Sequence, residues 1–510
     1  MSNVMVINMG LKSIRCIIFD QNGLKLGSAA QAINTAINDK QVEQSPEEWI
    51  RKAKQVMTKA LWDAGHPRID FITATASASC LVCATKDGRS IGRALMISDK
   101  RAGQQAERIA AVPEFTRIRE ETGLDSSASL MLPKILWVKE KQLEVFSESD
   151  YFLTPNDYLI HFISGIFVTD CLNALKYHYD PIRKSYPEAL LQALQIPPEK
   201  LPRVADIGER VGTMRKPLAE EIGINPDVQV VLTSYDAICS FIGSGVTEEG
   251  EASDVSGTVT VFRAFTRKKA EAAAGGIYDI PFDLGENRIV GGSNNLGGGL
   301  IEWVKQCYYQ KEEYPYEIME KDAAESEPGA RGLIFLPYLL GERVPIWDDN
   351  ARGVFLGLER MHTRKDMTRA VFESTGFIDL DIIEAIQRAG VEVRSVRLSG
   401  GLARINLISK IKADILGRDV HVLSEFETTA SGAAMIVLLS QGVYPDMKRT
   451  AEQFAKIRMI IKPDLENHRK YNYMYELYRD TYVTLKDLFQ RRKDILQKIR
   501  TDREVQIENL

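Results

Sequence analysis

One short pattern occurs twice in this chain, about half its length apart, and it narrows the fold more than any other feature. Near the start a β-rich apolar run, Val4-Met5-Val6-Ile7, is broken at Gly10 and resumes at Arg15-Cys16-Ile17-Ile18-Phe19. Beyond a linker-like Thr247-Glu248-Glu249-Gly250, the apolar run 252–255 leads into the turn Ser256-Gly257 and a second run, 258–262. A strand–glycine turn–strand unit repeated at this spacing predicts two related α/β halves with a cleft between them. The length agrees, because 510 residues suffice for two or three domains of roughly 100–200 residues each.

Composition removes several function classes. Lys+Arg is 65 against 70 Asp+Glu, so no basic footprint for nucleic acid or acidic lipid is present. Six cysteines are too few for a disulfide scaffold. Cys80 and Cys83 are closely spaced but lack a second pair, and read as buried thiols in a reducing cytosol. The opening MSNVMVINMG does not read as a signal peptide, and the longest apolar run, near 433–439, is too short to span a bilayer. A soluble, cytoplasmic protein without membrane or nucleic-acid partners is expected.

Local signals fill in the plan. Ser45 reads as a helix N-cap, with Pro46 at the first helical position, Glu47 and Glu48 in the first turn, and Trp49, Ala53, Val56, Ala60 and Leu61 as the apolar face. Residues 72–76 read as a strand. The apolar run 228–233 reads as another, entering Ser234-Tyr235-Asp236 and a small-residue helix. From about Asn467 a long helix carries Met474, Leu477, Tyr478, Tyr482, Leu485, Leu488 and Phe489 at helical spacing. Its basic end reads as the solvated face of a docked terminal helix rather than a membrane or partner anchor.

Three glycine turns follow β-like segments: Asn8-Met9-Gly10, Ser256-Gly257-Thr258 and Ser399-Gly400-Gly401. Such turns offer backbone N–H groups to phosphate oxygens, although each alone is more often only a tight turn. None is a Walker A loop. The third precedes a helix expected over 404–416, whose N-terminal end is electropositive. Asp236 ends an apolar strand, where open α/β sheets place ligands. From the local sequence it reads equally as a general base and as a helix N-cap.

The segment Phe335-Leu336-Pro337-Tyr338-Leu339-Leu340-Gly341-Glu342-Arg343-Val344-Pro345, with the stretch from Gly353 through Asp366 to Glu373, resembles the FGGY family of carbohydrate kinases. Ser399-Gly400-Gly401-Leu402-Ala403-Arg404 with Ala413-Asp414 resembles that family's adenosine-binding segment. Glu427-Thr428-Thr429-Ala430-Ser431-Gly432 resembles the helix start that follows. Lys134-Ile135-Leu136-Trp137 partly fits a further signature. The likeness runs in order from about residue 4 to about 490.

The resemblance implies two actin-like, ribonuclease-H-type domains, about 1–246 and 247–510, with ATP and sugar in the cleft. The implied reaction moves the γ-phosphate of ATP to a hydroxyl of a sugar, polyol or sugar acid, with magnesium. Asp236 takes the position of the general base and of a metal contact. Gly10, Lys12, Ser13 and Arg15 fall in the first phosphate turn and Gly257 and Thr258 in the second. Gly298, Glu302, Gly400, Gly401 and Leu402 fall beside the nucleotide. Ile405 stands where related kinases often have Ser or Asn, and Asn406 is the polar side chain next to it. On the sugar side stand Ser77, Ser79, Asp99, Arg101, Asn156 and Asp157. Family members are often dimers, so the resemblance allows a homodimer.

The chain departs from the family in the first turn. Asp-x-Gly-Thr-x-x-x-Arg/Lys reads here Asn8-Met9-Gly10-Leu11-Lys12-Ser13-Ile14-Arg15. Asn8 replaces the metal-holding carboxylate, and Leu11 replaces a hydroxyl that reaches phosphate. On the sugar side Ser79 stands where xylulokinases have His, whereas Ser-Asn-Asn-Leu-Gly-Gly-Gly is more gluconokinase-like. Xylulose- or gluconate-type substrates are the nearest fits. A degenerate homologue that senses nucleotide or sugar is the alternative reading. An ATP hydrolase or filament is disfavoured, because the matching motifs are those of sugar kinases.

Overall fold

A computed structural model describes residues 2–122, 125–181, 183–270, 276–281 and 287–508. The chain forms two compact units. Unit 1 contains Met1–Gly245 and Glu427–Ala455; unit 2 contains Val246–Ile280, Glu286–Phe426 and Lys456–Leu510.

Unit 1 is built on a six-stranded sheet in the order Arg210–Thr213, Gln229–Val231, Phe71–Ala76, Val4–Met9, Ser13–Phe19, Lys25–Ala32. Val4–Met9 pairs antiparallel with Ser13–Phe19 and parallel with Phe71–Ala76. Every residue of Val4–Met9 and Phe71–Ala76 is buried, as expected of central strands covered on both faces. The helix Pro46–Asp63 starts as its sequence predicts, with the Ser45 side chain accepting from the Glu48 N–H.

Unit 2 repeats the plan. Its seven-stranded sheet runs Tyr278–Pro281, Arg288–Ser293, Thr260–Thr266, Glu251–Ser256, Ser395–Gly400, Asp419–Leu423, Ile457–Ile461. Glu251–Ser256 pairs antiparallel with Thr260–Thr266 and parallel with Ser395–Gly400, as Val4–Met9 does with its neighbours. Each sheet continues through a second parallel strand and ends on an antiparallel edge strand. The repeat expected from two hairpins thus extends over six strands in each unit.

Against a single boundary near residue 246, Glu427–Ala455 packs with unit 1. Its helix Thr428–Ser440 is buried almost throughout and has no polar face to turn to water. It lies so close on the helix Asp236–Gly243 that a Cβ at Gly432 would stand 1.8 Å from the Cys239 carbonyl oxygen.

The terminal helix spans Leu465–Glu508 and docks on the core of unit 2. The buried face is Tyr471, Tyr475, Tyr478 and Phe489, whereas Leu477 and Leu488 of the expected stripe are 42% and 52% exposed. The phenols set this register. The Tyr478 and Tyr338 hydroxyls share a 2.7 Å hydrogen bond, and Tyr475 donates to Asp381 at 2.6 Å. Tyr471 joins a buried Arg369–Glu373 ion pair, donating to Glu373 at 2.8 Å. Among the described residues no helix is long and apolar enough to cross a membrane.

Candidate functional site

Three neighbouring parallel strands of unit 1, Val4–Met9, Phe71–Ala76 and Gln229–Val231, point their C-terminal ends to one edge of the sheet. Sequence segments far apart meet there. The first strand opens into the Gly10 turn, closed by the Gly10 N–H on the Ser13 carbonyl at 3.0 Å. The second continues into Ser77, whose N–H donates to the Met9 carbonyl at 3.2 Å. Beyond the third, Asp236 is the first residue of the helix Asp236–Gly243, with Tyr235 as N-cap.

Asp236 is therefore not the N-cap that its local sequence allowed. Its Oδ1 accepts from the Ala237 N–H at 2.7 Å and its Oδ2 from the Ser77 hydroxyl at 2.9 Å. A carboxylate in a first helical turn is favourably placed towards the helix dipole. Behind it Ser234 is fastened three ways. Its hydroxyl donates to the buried Asp170 at 2.8 Å, and its carbonyl accepts from Thr75 Oγ1 at 2.8 Å and from the Cys239 thiol at 3.2 Å.

Beside Ser77 the chain turns through Ser79, which has φ +60°. Its carbonyl accepts a hydrogen bond from the fully buried Lys134 ammonium. Burial pulls the Lys134 pKa down to about 8, against the raising influence of Cys80 and Asp99. Cys80 and Cys83 are free and buried, and burial raises their thiols to about 11 and about 12. This agrees with the reading of buried thiols.

The remaining sugar-side candidates turn inward. Asp99 accepts from Arg101 Nη2 at 2.7 Å and from the Val42 N–H at 2.8 Å. Arg101 also pairs with Glu43 at 2.7 Å and lies 4.8 Å over the Trp137 ring. Asp157 closes a capping box with Thr154, its Oδ2 accepting from the Thr154 N–H at 2.9 Å; complete burial raises its pKa to about 7. Asn156 is buried with neither side-chain polar atom hydrogen-bonded.

In the first turn Asn8 is nearly buried, opposite Arg15 and beside Thr75. Leu11 is 42% exposed, and Lys12 and Ser13 complete the turn towards solvent. Arg15 pairs with Glu427 rather than standing free. Asn8 brings no charge to a cation. Among the described residues no group of three or more His, Cys, Asp or Glu side chains could hold a metal ion.

In unit 2 the glycine segments also converge. The Gly298 N–H donates to the Gly257 carbonyl at 2.7 Å and the Gly297 N–H to the Thr258 carbonyl at 2.9 Å. Gly400, at φ +85°, would set a Cβ 2.5 Å from the Ser256 carbonyl oxygen, so both conformation and space demand glycine. Gly401 follows, and Leu402 begins a single 3-10 turn. The helix expected over 404–416 starts at Asn406, whose Oδ1 accepts from Arg458 at 3.1 Å. Glu302 pairs with Lys305 and accepts from the Tyr316 hydroxyl.

Motif carboxylates elsewhere in unit 2 serve the fold. Asp366 completes a capping box with Thr363, and Glu373 accepts from the Gly329 N–H at 2.9 Å inside the terminal-helix network. Asp414 accepts from the Asp464 N–H at 2.8 Å and so anchors the start of the terminal helix. Two features are not legible in the sequence as parts of a site. Lys134 stands out only as part of a signature, and its burial has no local sign. The buried side chains Asp254, Asp379 and Lys412 lie on three separate elements.

Residues 3–243 match the N-terminal domain of the FGGY family of carbohydrate kinases, and residues 253–440 match its C-terminal domain. The chain is 26% identical over 503 residues to a xylulose kinase of Bacillus subtilis (strain 168), covering 96% of this chain and 98% of that one. It is 24% identical over 455 residues to a gluconokinase of the same organism, covering 86% and 88%. The crystal structure of ligand-bound xylulose kinase from Lactobacillus acidophilus superposes with a TM-score of 0.87 at 23% identity, covering 96% and 100%. That likeness establishes the two-domain, actin-like fold.

Proposed function

The chain belongs to the FGGY family of carbohydrate kinases, and on that premise we propose that Asp236 is the general base of an ATP-dependent phosphorylation of a sugar or sugar-acid hydroxyl. The observation that carries this reading is the placement of Asp236 beside Ser77 and the Gly10 turn at one sheet edge. The Ser77 hydroxyl and the Ala237 N–H fix the carboxylate's orientation. It takes the proton of the acceptor hydroxyl as that oxygen bonds to the γ-phosphorus, and ADP leaves.

The Gly257-Thr258 turn, the helix start at Gly298 and the Gly400-Gly401-Leu402 segment are assigned to ATP. Their glycines leave backbone N–H groups and space for phosphate and adenosine. In the first turn Lys12 and Ser13 are the groups offered to phosphate, and the exposed Lys12 ammonium supplies charge that Asn8 does not. Magnesium is assigned to the phosphates of ATP rather than to a set of protein carboxylates. Ser77 and Ser79 face the acceptor. Asp99, Arg101 and Asp157 shape its surroundings through the pairs described above, and Asn156 brings an unspent amide. Relatives named for xylulose and gluconate support a ketopentose or a sugar acid as the acceptor.

The test is ADP release from Mg·ATP across a panel of pentuloses, polyols and sugar acids. Acceptor-dependent ADP release on one of them is expected. Nucleotide binding with no release on any acceptor would contradict the reading and point to a sensor.

A further inference from the structure

Beneath the Gly257 turn of unit 2 lies a closed set of buried charges that the reaction itself does not need. Lys412, on the helix Asn406–Leu416, is wholly buried. Its ammonium pairs with Asp254 of the strand Glu251–Ser256 and stands 2.7 Å from Asp379 Oδ2 of the helix Arg364–Arg388. Both carboxylates are 0% exposed. Burial, then the nearby Asp254, holds the Asp379 carboxyl well above the usual range, whereas Lys412 is held raised by the two aspartates against burial.

Such a set is a poor source of stability, since apolar side chains of similar volume often do as well. Its specific product is the position of Ser256. The Ser256 hydroxyl donates to Asp254 Oδ1 at 2.5 Å, accepts from Lys412 Nζ at 3.3 Å and shares a 3.0 Å bond with Thr260 Oγ1. The Thr260 N–H donates to Asn294 Oδ1 at 2.8 Å. Ser256 and Thr260 flank the Gly257 turn on both sides, and the Ser256 carbonyl is the wall against which Gly400 packs.

We propose that Lys412, Asp254 and Asp379 are positioning residues, which through Ser256 hold the Gly257-Thr258 turn in the shape that receives the phosphates of ATP. This rests on the assignment of that turn to ATP. No proton or phosphoryl group passes through the set.

Two variants of the full chain test it. Ser256→Ala cuts the link and leaves the ion set in place. The triple variant Asp254→Val, Asp379→Leu, Lys412→Met replaces the set with apolar side chains. Two readings are taken: amide hydrogen exchange over residues 256–260 without nucleotide, and calorimetric binding of ADP, with KM for the acceptor as control. Both variants are expected to speed exchange at the turn and weaken ADP binding by about tenfold, with acceptor KM unchanged. Folded variants with wild-type exchange and ADP affinity would overturn the proposal. If the triple variant does not fold, Ser256→Ala decides alone. Faster exchange in a chain whose wild type binds no ADP would instead overturn the assignment of the turn to ATP.

Discussion

Asn8 concentrates the chemical cost of this sequence in one side chain. It lies in the central strand of unit 1, nearly out of solvent, at the end that opens into the Gly10 turn. A carboxylate there would bring a charge to a hydrated magnesium ion; the amide brings only a lone pair. The Leu11 side chain, in the same turn, offers no hydrogen bond where the turn meets solvent. Phosphoryl transfer depends chiefly on positioning and charge neutralisation, so each group matters to rate more than to folding. Restoring both, by Asn8→Asp with Leu11→Thr, is expected to raise kcat about tenfold and lower the magnesium concentration for half-maximal rate. A magnesium titration of the two proteins checks this, and equal curves from equally folded proteins would refute it.

Among the elements, the terminal helix shows how side-chain hydrogen bonding selects between two apolar faces. Both faces carry large apolar residues at helical spacing, so periodicity alone does not choose. The core of unit 2 presents Tyr338, Asp381 and the Arg369–Glu373 pair, and only the face with Tyr471, Tyr475 and Tyr478 satisfies them. Truncating Tyr478 leaves a cavity and an unpaired Tyr338 hydroxyl, whereas Leu488 is half in water. Tyr478→Ala is expected to destabilise unit 2 by about 3–5 kcal/mol. Leu488→Ala is expected to change it by less than about 0.5 kcal/mol. Chemical denaturation of the two variants reads the difference, and comparable losses would mean the helix docks on its other face.

At the scale of the whole molecule, one six-strand plan used twice explains what was legible from sequence. The paired hairpins, the Gly10 and Gly257 turns and the strand leading to Asp236 are local, because glycine and apolar runs announce turns and strands within a few residues. The place of Glu427–Ala455 is hidden, because its helix is apolar all round and has no stripe to say what it packs on; close backbone contact at Gly432 seats it against Asp236–Gly243. The ion set around Lys412 was hidden for a related reason: its members sit on one strand and two helices and meet only when these assemble. In the candidate site, the partners of Asp99, Arg101 and Asp157 were similarly invisible, since each is satisfied by backbone or by a neighbour rather than by a motif. The proposed base, Asp236, stands at the sheet edge of unit 1. The most direct test is Asp236→Asn assayed on the acceptor that supports ADP release, with ADP affinity measured alongside. The account predicts that kcat falls by about 10²–10⁴ while ADP binds as before. An Asp236→Asn enzyme that phosphorylates the acceptor at the wild-type rate would contradict it.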